Sequence, residues 1–219
     1  MSRFWFIEDV NLFNILCPHL FAQYKDKHNF KPYQKNDYVY LEGDSAENIF
    51  LIANGKIRLG YYNEHGQEVL KAILRKGEIF GELAFLGENQ RNEFARVIDN
   101  NTILCPMSVE VLKSVMFKNE NFSLKIYKLI GFRLKKVERR LDLILFKDVK
   151  TRLMEFIHEM KEEFGVKKDG VVIIKHPYTQ RDIADLIGST RQTVNSLLND
   201  LNNEGIIALK RGKIYLREI

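Results

Sequence analysis

Arg191 and Gln192 are neighbours, long, and rich in hydrogen-bond donors. A guanidinium fork matches the two acceptors that guanine presents in the DNA major groove, and a carboxamide matches adenine. Ser196, one helical turn further on, faces the same side. For these groups to read bases they must stand at the exposed start of a helix that can enter the groove. The stretch Thr179–Leu201, TQRDIADLIGSTRQTVNSLLNDL, meets that demand. Ile183, Ala184, Leu186 and Ile187 form one apolar face at helical spacing, and Val194, Leu197, Leu198 and Leu201 form another. Between them Gly188 can close the first helix in a left-handed conformation, and either Ser189 or Thr190 can cap the second. Ser189 with Gln192 fits a capping box, as Thr179 with Asp182 roughly does for the first helix. Two helices joined this tightly have the geometry of a DNA-reading helix-turn-helix. An ordinary helical hairpin would share the pattern; Arg191-Gln192 at the second helix start favours the reader.

The elements that must carry this pair follow from the rest of the chain. From Phe30 to Leu104 the texture is β: runs such as Tyr38–Leu41, Ile49–Ile52, Ile57–Tyr62 and Val69–Leu74 alternate with Gly43-Asp44, Asn54-Gly55, His65-Gly66 and Lys76-Gly77. Turns about ten residues apart predict a small rolled antiparallel sheet with room for a ligand. At Phe80-Gly81-Glu82-Leu83-Ala84 the strand pattern breaks and a short helix can start. Its free backbone N–H groups would suit an anion, although a plain turn has the same sequence.

Composition sets the bounds. The 219 residues are 45% apolar and 29% charged, with a net charge of +5 and an isoelectric point near 9.0. This is a globular chain long enough for two modest domains, and its mild basicity permits a polyanionic partner without requiring one. The longest apolar run is five residues, Ile49–Ala53, so no membrane span is expected; Phe4–Ile7 reads as a small packing helix. Cys17 and Cys105 are far apart, which suits a reducing cytoplasm and argues against an iron–sulfur cluster or zinc ribbon. The five histidines, 19, 28, 65, 158 and 176, lack ligand-pair spacing. His19 with Cys17 is the one weak haem or metal pair, and no catalytic set is apparent.

After the roll, Tyr127, Ile130, Leu134, Val137, Leu141 and Ile144 recur at alternating spacings of three and four. This a/d seam predicts a helix over residues 119–147 that pairs with a copy of itself; packing on its own domain is the simpler alternative. Lys125, Lys128, Arg133, Lys135, Lys136, Arg139 and Arg140 surround it, a charge run that is either a solvated face or favours an anionic effector nearby. Phe146-Lys147-Asp148-Val149 marks a hinge, and Leu153, Phe156, Ile157 and Met160 form a helical stripe beyond it. Gly165–Gly170 reads as a polar turn and Val171–Ile174 as a short strand. Ile206–Leu209 and Ile214–Leu216 flank a basic tip, Lys210-Arg211-Gly212-Lys213, which makes a wing.

The order Glu42-Gly43-Asp44, Asn54-Gly55-Lys56-Ile57, Gly66-Gln67-Glu68, Gly77-Glu78-Ile79-Phe80-Gly81-Glu82-Leu83-Ala84 and Arg91 resembles a cyclic-nucleotide-binding β-roll. With the C-terminal motif, the chain is similar over nearly its full length to the CRP/FNR family of bacterial transcription regulators. The resemblance implies an α+β fold: a jelly-roll-like antiparallel β-roll over residues 1–118, a dimerisation helix over 119–147, and a winged helix-turn-helix over 148–219. It implies an effector site at Gly81, Glu82, Leu83, Ala84, Arg91 and Asn92, met by Arg133, Val137 and Glu138 of the long helix. In cyclic-AMP-binding members the Glu at position 82 holds the ribose hydroxyl and the Arg at 91 the phosphate, a sensible division between an acceptor and a donor fork. This chain departs from that pattern. Asn92 and Glu93 stand where the family has a small hydroxyl residue and Ala, and a carboxylate at 93 would repel a bound phosphate. Val137 and Glu138 replace the adenine-contacting Thr-Ser pair. These departures count against cyclic AMP and leave the effector's identity open.

The function so implied is a cytoplasmic, homodimeric, effector-controlled regulator of palindromic double-stranded DNA, with RNA polymerase as a further partner. Arg191, Gln192 and Ser196 are the expected base contacts, where the best-known members carry Arg, Glu and Arg, so a different half-site is expected. Thr179, Gln180, Thr193, Lys210, Arg211 and Lys213 are expected at phosphates, which position without specifying. Two alternatives stay open: a β-roll interaction module without a gene-regulatory role, and a family regulator that needs no small molecule.

Overall fold

The structure, a computed structural model, describes residues 30–118, 120–210 and 212–217, without the side chains of residues 121, 122, 125, 129, 132, 133, 136 and 217. The expected helix at Phe4–Ile7, Cys17, His19, His28 and Arg211 lie outside the described residues, as do the side chains of Lys125, Arg133 and Lys136. Packing divides the chain into two compact units, the first ending at Leu134 and the second beginning at Lys135.

Among the described residues the first unit is built on eight strands: β1 (Lys31–Tyr33), β2 (Tyr38–Tyr40), β3 (Asn48–Asn54), β4 (Lys56–Tyr62), β5 (Glu68–Arg75), β6 (Ile79–Phe80), β7 (Phe94–Val97) and β8 (Thr102–Ser108). They form two antiparallel four-stranded sheets, ordered β1-β8-β3-β6 and β2-β7-β4-β5. The chain passes from one sheet to the other between β3 and β4 at Gly55, where φ is 90°. A Cβ there would lie 2.1 Å from Thr102 Oγ1, so only glycine fits the crossing. Tyr40, Phe50, Ile52, Ile57, Leu59, Leu74, Phe80, Ala95, Val97 and Leu104 fill the space between the sheets. The alternate residues of β3, Ile49 and Leu51, belong to a second apolar cluster. That cluster is completed by Leu112 and Val115 of α1 (Val109–Lys118) and Ile126 of α2 (Glu120–Phe146). β3 is therefore covered on both faces, which explains its near-continuous apolar sequence. β8 runs past Leu104 through Pro106; β1 pairs only with Thr102–Leu104, so the proline sits where β8 has one neighbour.

The second unit takes in the end of α2, then α3 (Val149–Phe164), β9 (Gly165–Lys168), β10 (Val171–Ile174), α4 (Gln180–Ile187), α5 (Arg191–Asn203), β11 (Ile207–Lys210) and β12 (Lys213–Arg217). Asp148 caps α3 by accepting the Thr151 N–H at 2.7 Å. Leu153, Phe156, Ile157 and Met160 are buried, as their spacing predicts. The sheet order is β11-β12-β10-β9. One expectation is corrected here: Gly165–Lys168 is a strand rather than part of a turn. The reversal is confined to Asp169 and Gly170, both at positive φ (51° and 72°), which makes a two-residue hairpin loop. The lysines of β9 disguise it in the sequence because an edge strand leaves them in solvent.

Candidate nucleic-acid interface and ligand pocket

Local capping sets the geometry of the reading head. Thr179 caps α4 through a reciprocal box: Asp182 N–H donates to Thr179 Oγ1 at 3.1 Å and Thr179 N–H donates to Asp182 Oδ2 at 2.8 Å. Gly188 ends α4 in the left-handed conformation (φ 65°, ψ 53°). The cap of α5 is Thr190, which accepts the Thr193 N–H at 3.1 Å; the capping box expected from Ser189 and Gln192 gives way to it. The next helical residue is then Arg191, so Arg191 and Gln192 occupy the first turn. Ile183, Ala184, Leu186, Ile187, Val194, Leu198 and Leu201 are buried beneath both helices, and Leu197 is half-buried.

On the opposite side of α5, Arg191, Gln192 and Ser196 are all exposed, and so is Asn195. Asn195 escapes the sequence reading although it lies four residues after Arg191; Gln180 Nε2 donates to its Oδ1 at 3.2 Å, linking the two helices across the reading face. Thr179 is exposed, and the Thr193 hydroxyl lies 2.8 Å from that of Thr190. The wing is the β11–β12 hairpin, with Lys210 paired in register with Lys213 at its tip and Gly212 at φ 71°. Lys210 Nζ lies 6.0 Å from the Tyr215 ring centroid.

The seam residues of α2 are turned outward. Tyr127, Ile130, Leu134, Val137, Leu141 and Ile144 are 37–64% exposed, whereas Ile126 and Leu143 of the same helix are buried. Exposed apolar side chains thus recur along this stripe of α2.

In the β-roll, Gly81 (φ 72°) starts a five-residue 3-10 helix, Glu82–Leu86. Ala84 is buried, Glu82 half-buried and Leu83 36% exposed. Arg91 reaches under this turn and is 4% exposed. Its Nη1 donates to the Gly81 carbonyl at 2.9 Å and its Nη2 to the Asn48 carbonyl, while the guanidinium lies 4.4 Å over the Tyr40 ring. Both arms of the fork thus hold main chain, and a Cβ on Gly81 would lie 2.8 Å from Nη1. Glu93 faces the same interior: its Oε1 accepts from Tyr40 Oη at 3.1 Å and its Oε2 from Lys71 Nζ at 2.5 Å. The carboxylate expected to repel a phosphate is therefore balanced by Lys71. Neither Lys71 nor Tyr40 stands out in the sequence, because cross-strand partners leave no local signal. Asn92 is not brought together with Arg91. It is exposed, donates to Glu88 Oε1 at 2.7 Å, and lines a polar outer groove with Gly43, Ser45, Asn89 and Gln90. Val137 and Glu138 are exposed on α2 in the other unit.

No group of three His, Cys, Asp or Glu residues among the described residues is placed to hold a metal ion, and no helix among them is long and apolar enough to cross a membrane.

Comparison with known proteins agrees with this architecture. Residues 30–119 match the cyclic nucleotide-binding domain family, and residues 151–219 match the Crp-like helix-turn-helix domain family. The chain is 27% identical over 187 residues to the global nitrogen regulator of Nostoc sp., covering 85% of this chain and 84% of that one. It is 27% identical over 180 residues to the CRP-like cAMP-activated global transcriptional regulator of Mycobacterium tuberculosis, covering 82% and 80%. Among solved structures, a CooA variant from Carboxydothermus hydrogenoformans matches with a TM-score of 0.76 at 24% identity, over 98% of this chain and 94% of that one. A cyclic-nucleotide-binding-type roll, a long helix with an outward apolar seam and a capped, winged helix-turn-helix together place this chain in the CRP/FNR family of transcription regulators.

Proposed function

We propose that the chain acts as a homodimer that reads palindromic DNA through α5 and is controlled through its β-roll. The observation that carries the DNA reading is the exposed row Arg191, Gln192, Asn195 and Ser196 on a helix whose other side is buried. Arg191 takes guanine, with Gln192, Asn195 and Ser196 at adjoining bases. Thr179, Gln180, Thr193, Lys210, Arg211 and Lys213 take the flanking phosphates and set the register. Regulators of this family bind DNA and act as dimers, and the outward seam of α2 supports pairing by that helix. Twofold pairing presents two copies of α5 to successive major grooves, about 34 Å apart. A regulator bound beside a promoter in the cytoplasm is then within reach of RNA polymerase.

The effector we propose for the roll is a small anion other than cyclic AMP. The relative described as cAMP-activated makes that nucleotide the first ligand to test. Against it stand the main-chain bonds of both Arg91 arms, the outward turn of Asn92, and Val137 and Glu138 in place of hydroxyl side chains. A second reading, control without any small molecule, is favoured by the same Arg91 bonds and by the closed Glu93–Lys71 pair.

Selection of random duplexes by the purified protein, with sedimentation of the free protein, tests the proposal. An enriched palindrome and a dimer are the expected results; a monomer, or no enrichment, refutes it. Titration with cyclic AMP should leave the affinity for the selected site unchanged. An anion that raises affinity separates effector control from the second reading.

A further inference from the structure

Arg152, at the start of α3, contributes neither to the reading face nor to the roll, yet it is 8% exposed. Its Nη1 donates to the carbonyls of Ile144 and Lys147, at 3.2 and 3.3 Å, and its Nη2 donates to the carbonyl of Gly188 at 3.2 Å. The first two acceptors belong to the end of α2, whose last turn continues through the Lys147 N–H to the Leu143 carbonyl. The third is the residue that terminates α4.

The last carbonyls of a helix have no partner within it and form the negative pole of its dipole. Two such poles brought together repel, and Arg152 satisfies both with one guanidinium. Arg140, on α2, repeats the device: its Nη2 donates to the Asp185 carbonyl of α4 at 3.2 Å. Between the two arginines Ile144 closes on the turn, and a Cβ on Gly188 would meet its side chain at 3.7 Å. All of these residues lie in the unit that begins at Lys135.

We infer that Arg152 and Arg140 are positioning residues that clamp the helix-turn-helix to the end of the dimerisation helix and so fix the spacing between the two reading heads. This rests on the palindromic reading proposed above. Neither arginine touches a base. Without the clamp each head keeps its own core and caps and still recognises a half-site, but the second head is no longer held over its half-site. The high effective concentration that makes the second binding event intramolecular then disappears.

The test uses full-length protein and three duplexes: the selected palindrome, the same palindrome with about two extra base pairs between half-sites, and one half-site in random flanks. Wild-type protein should prefer the first over both others. For Arg152→Lys, which keeps the charge and loses the fork, and for Arg140→Gln, affinity for the palindrome should fall about 10-fold or more. Discrimination between the two spacings should largely disappear, and half-site affinity should stay within about twofold. Arg140 is only half-buried, so its variant should keep its fold even if the Arg152 variant does not. Unchanged spacing discrimination in the Arg140 variant, or equal loss on palindrome and half-site, overturns the clamp. Wild-type protein that binds all three alike overturns the palindromic reading and the clamp with it.

Discussion

Arg191→Ala should separate the proposed base recognition from the structural roles of α5. Arg191 is the first helical residue and is exposed, and the cap before it acts through the Thr190 side chain, which the substitution leaves alone. Ala is the best helix former, and a positive charge at a helix N-terminus is unfavourable by about 0.3–1 kcal/mol. The unfolding midpoint should therefore hold or rise slightly. On DNA, a bidentate Arg–guanine pair is worth about 1–3 kcal/mol, roughly 5- to 150-fold in affinity. A dimer on a palindrome loses it twice, about 2–6 kcal/mol in all. The assay is fluorescence anisotropy with the selected palindrome, with a palindrome in which the guanine pair is exchanged in both half-sites, and with a scrambled duplex. The base exchange should cost wild type as much as the substitution does, and should cost the variant almost nothing, so that the double-mutant cycle closes on one residue–base pair. A variant weakened equally on all three duplexes would show that Arg191 meets phosphate. A variant that still discriminates at the exchanged position would remove Arg191 from the reading altogether.

Leu134→Asp with Leu141→Asp, two seam positions that are 58% and 53% exposed, should yield folded monomers in sedimentation and abolish the preference for a palindrome over a half-site. Lys210→Ala with Lys213→Ala should weaken binding to all sequences alike and reduce the slope of log affinity against log salt by about 1 for each phosphate no longer neutralised. Arg91→Gln should lower stability without any ligand present, by roughly 3 kcal/mol in denaturant unfolding, because it removes charge-assisted bonds to the Gly81 and Asn48 carbonyls from a buried site. Burial holds the His176 imidazole below its ordinary value, with a hydrogen bond involving the Tyr178 backbone opposing it. The fold thus keeps the ring neutral where the unfolded chain protonates: the stabilisation is complete above pH 6.5 and is lost as pH falls below it. His176→Phe should flatten the fall in unfolding midpoint between about pH 7 and pH 5.

Local chemistry made much of the reading head legible. Gly188 at positive φ, the Thr179–Asp182 box and the buried Ile183, Leu186, Val194 and Leu198 all follow from neighbours in sequence. The long helix that carries the exposed apolar stripe was legible for the same reason: spacings of three and four keep a row of side chains together along a helix. What escaped depends on partners distant in sequence. Glu93 reads as an isolated carboxylate until Lys71, 22 residues away, closes on it. β9 reads as a turn because its lysines are permitted only by its place at the sheet edge, and the choice of Thr190 over Ser189 turns on a single residue of register. Arg152 gives no signal at all, since its acceptors are carbonyl groups, which every residue type supplies.

Because β3 is shared by two apolar clusters, it governs how the first unit yields to force or heat. Phe50 and Ile52 belong to the roll interior, while Ile49 and Leu51 belong to the cluster that includes Ile126 of the long helix. One backbone therefore carries both loads, and neither core can melt or repack while the other stays as it is. The unit should open as a single block, with the β3 amides exchanging last. A disturbance on the Phe50 side must either be resisted or be passed, residue by alternate residue, to the side that touches the helix.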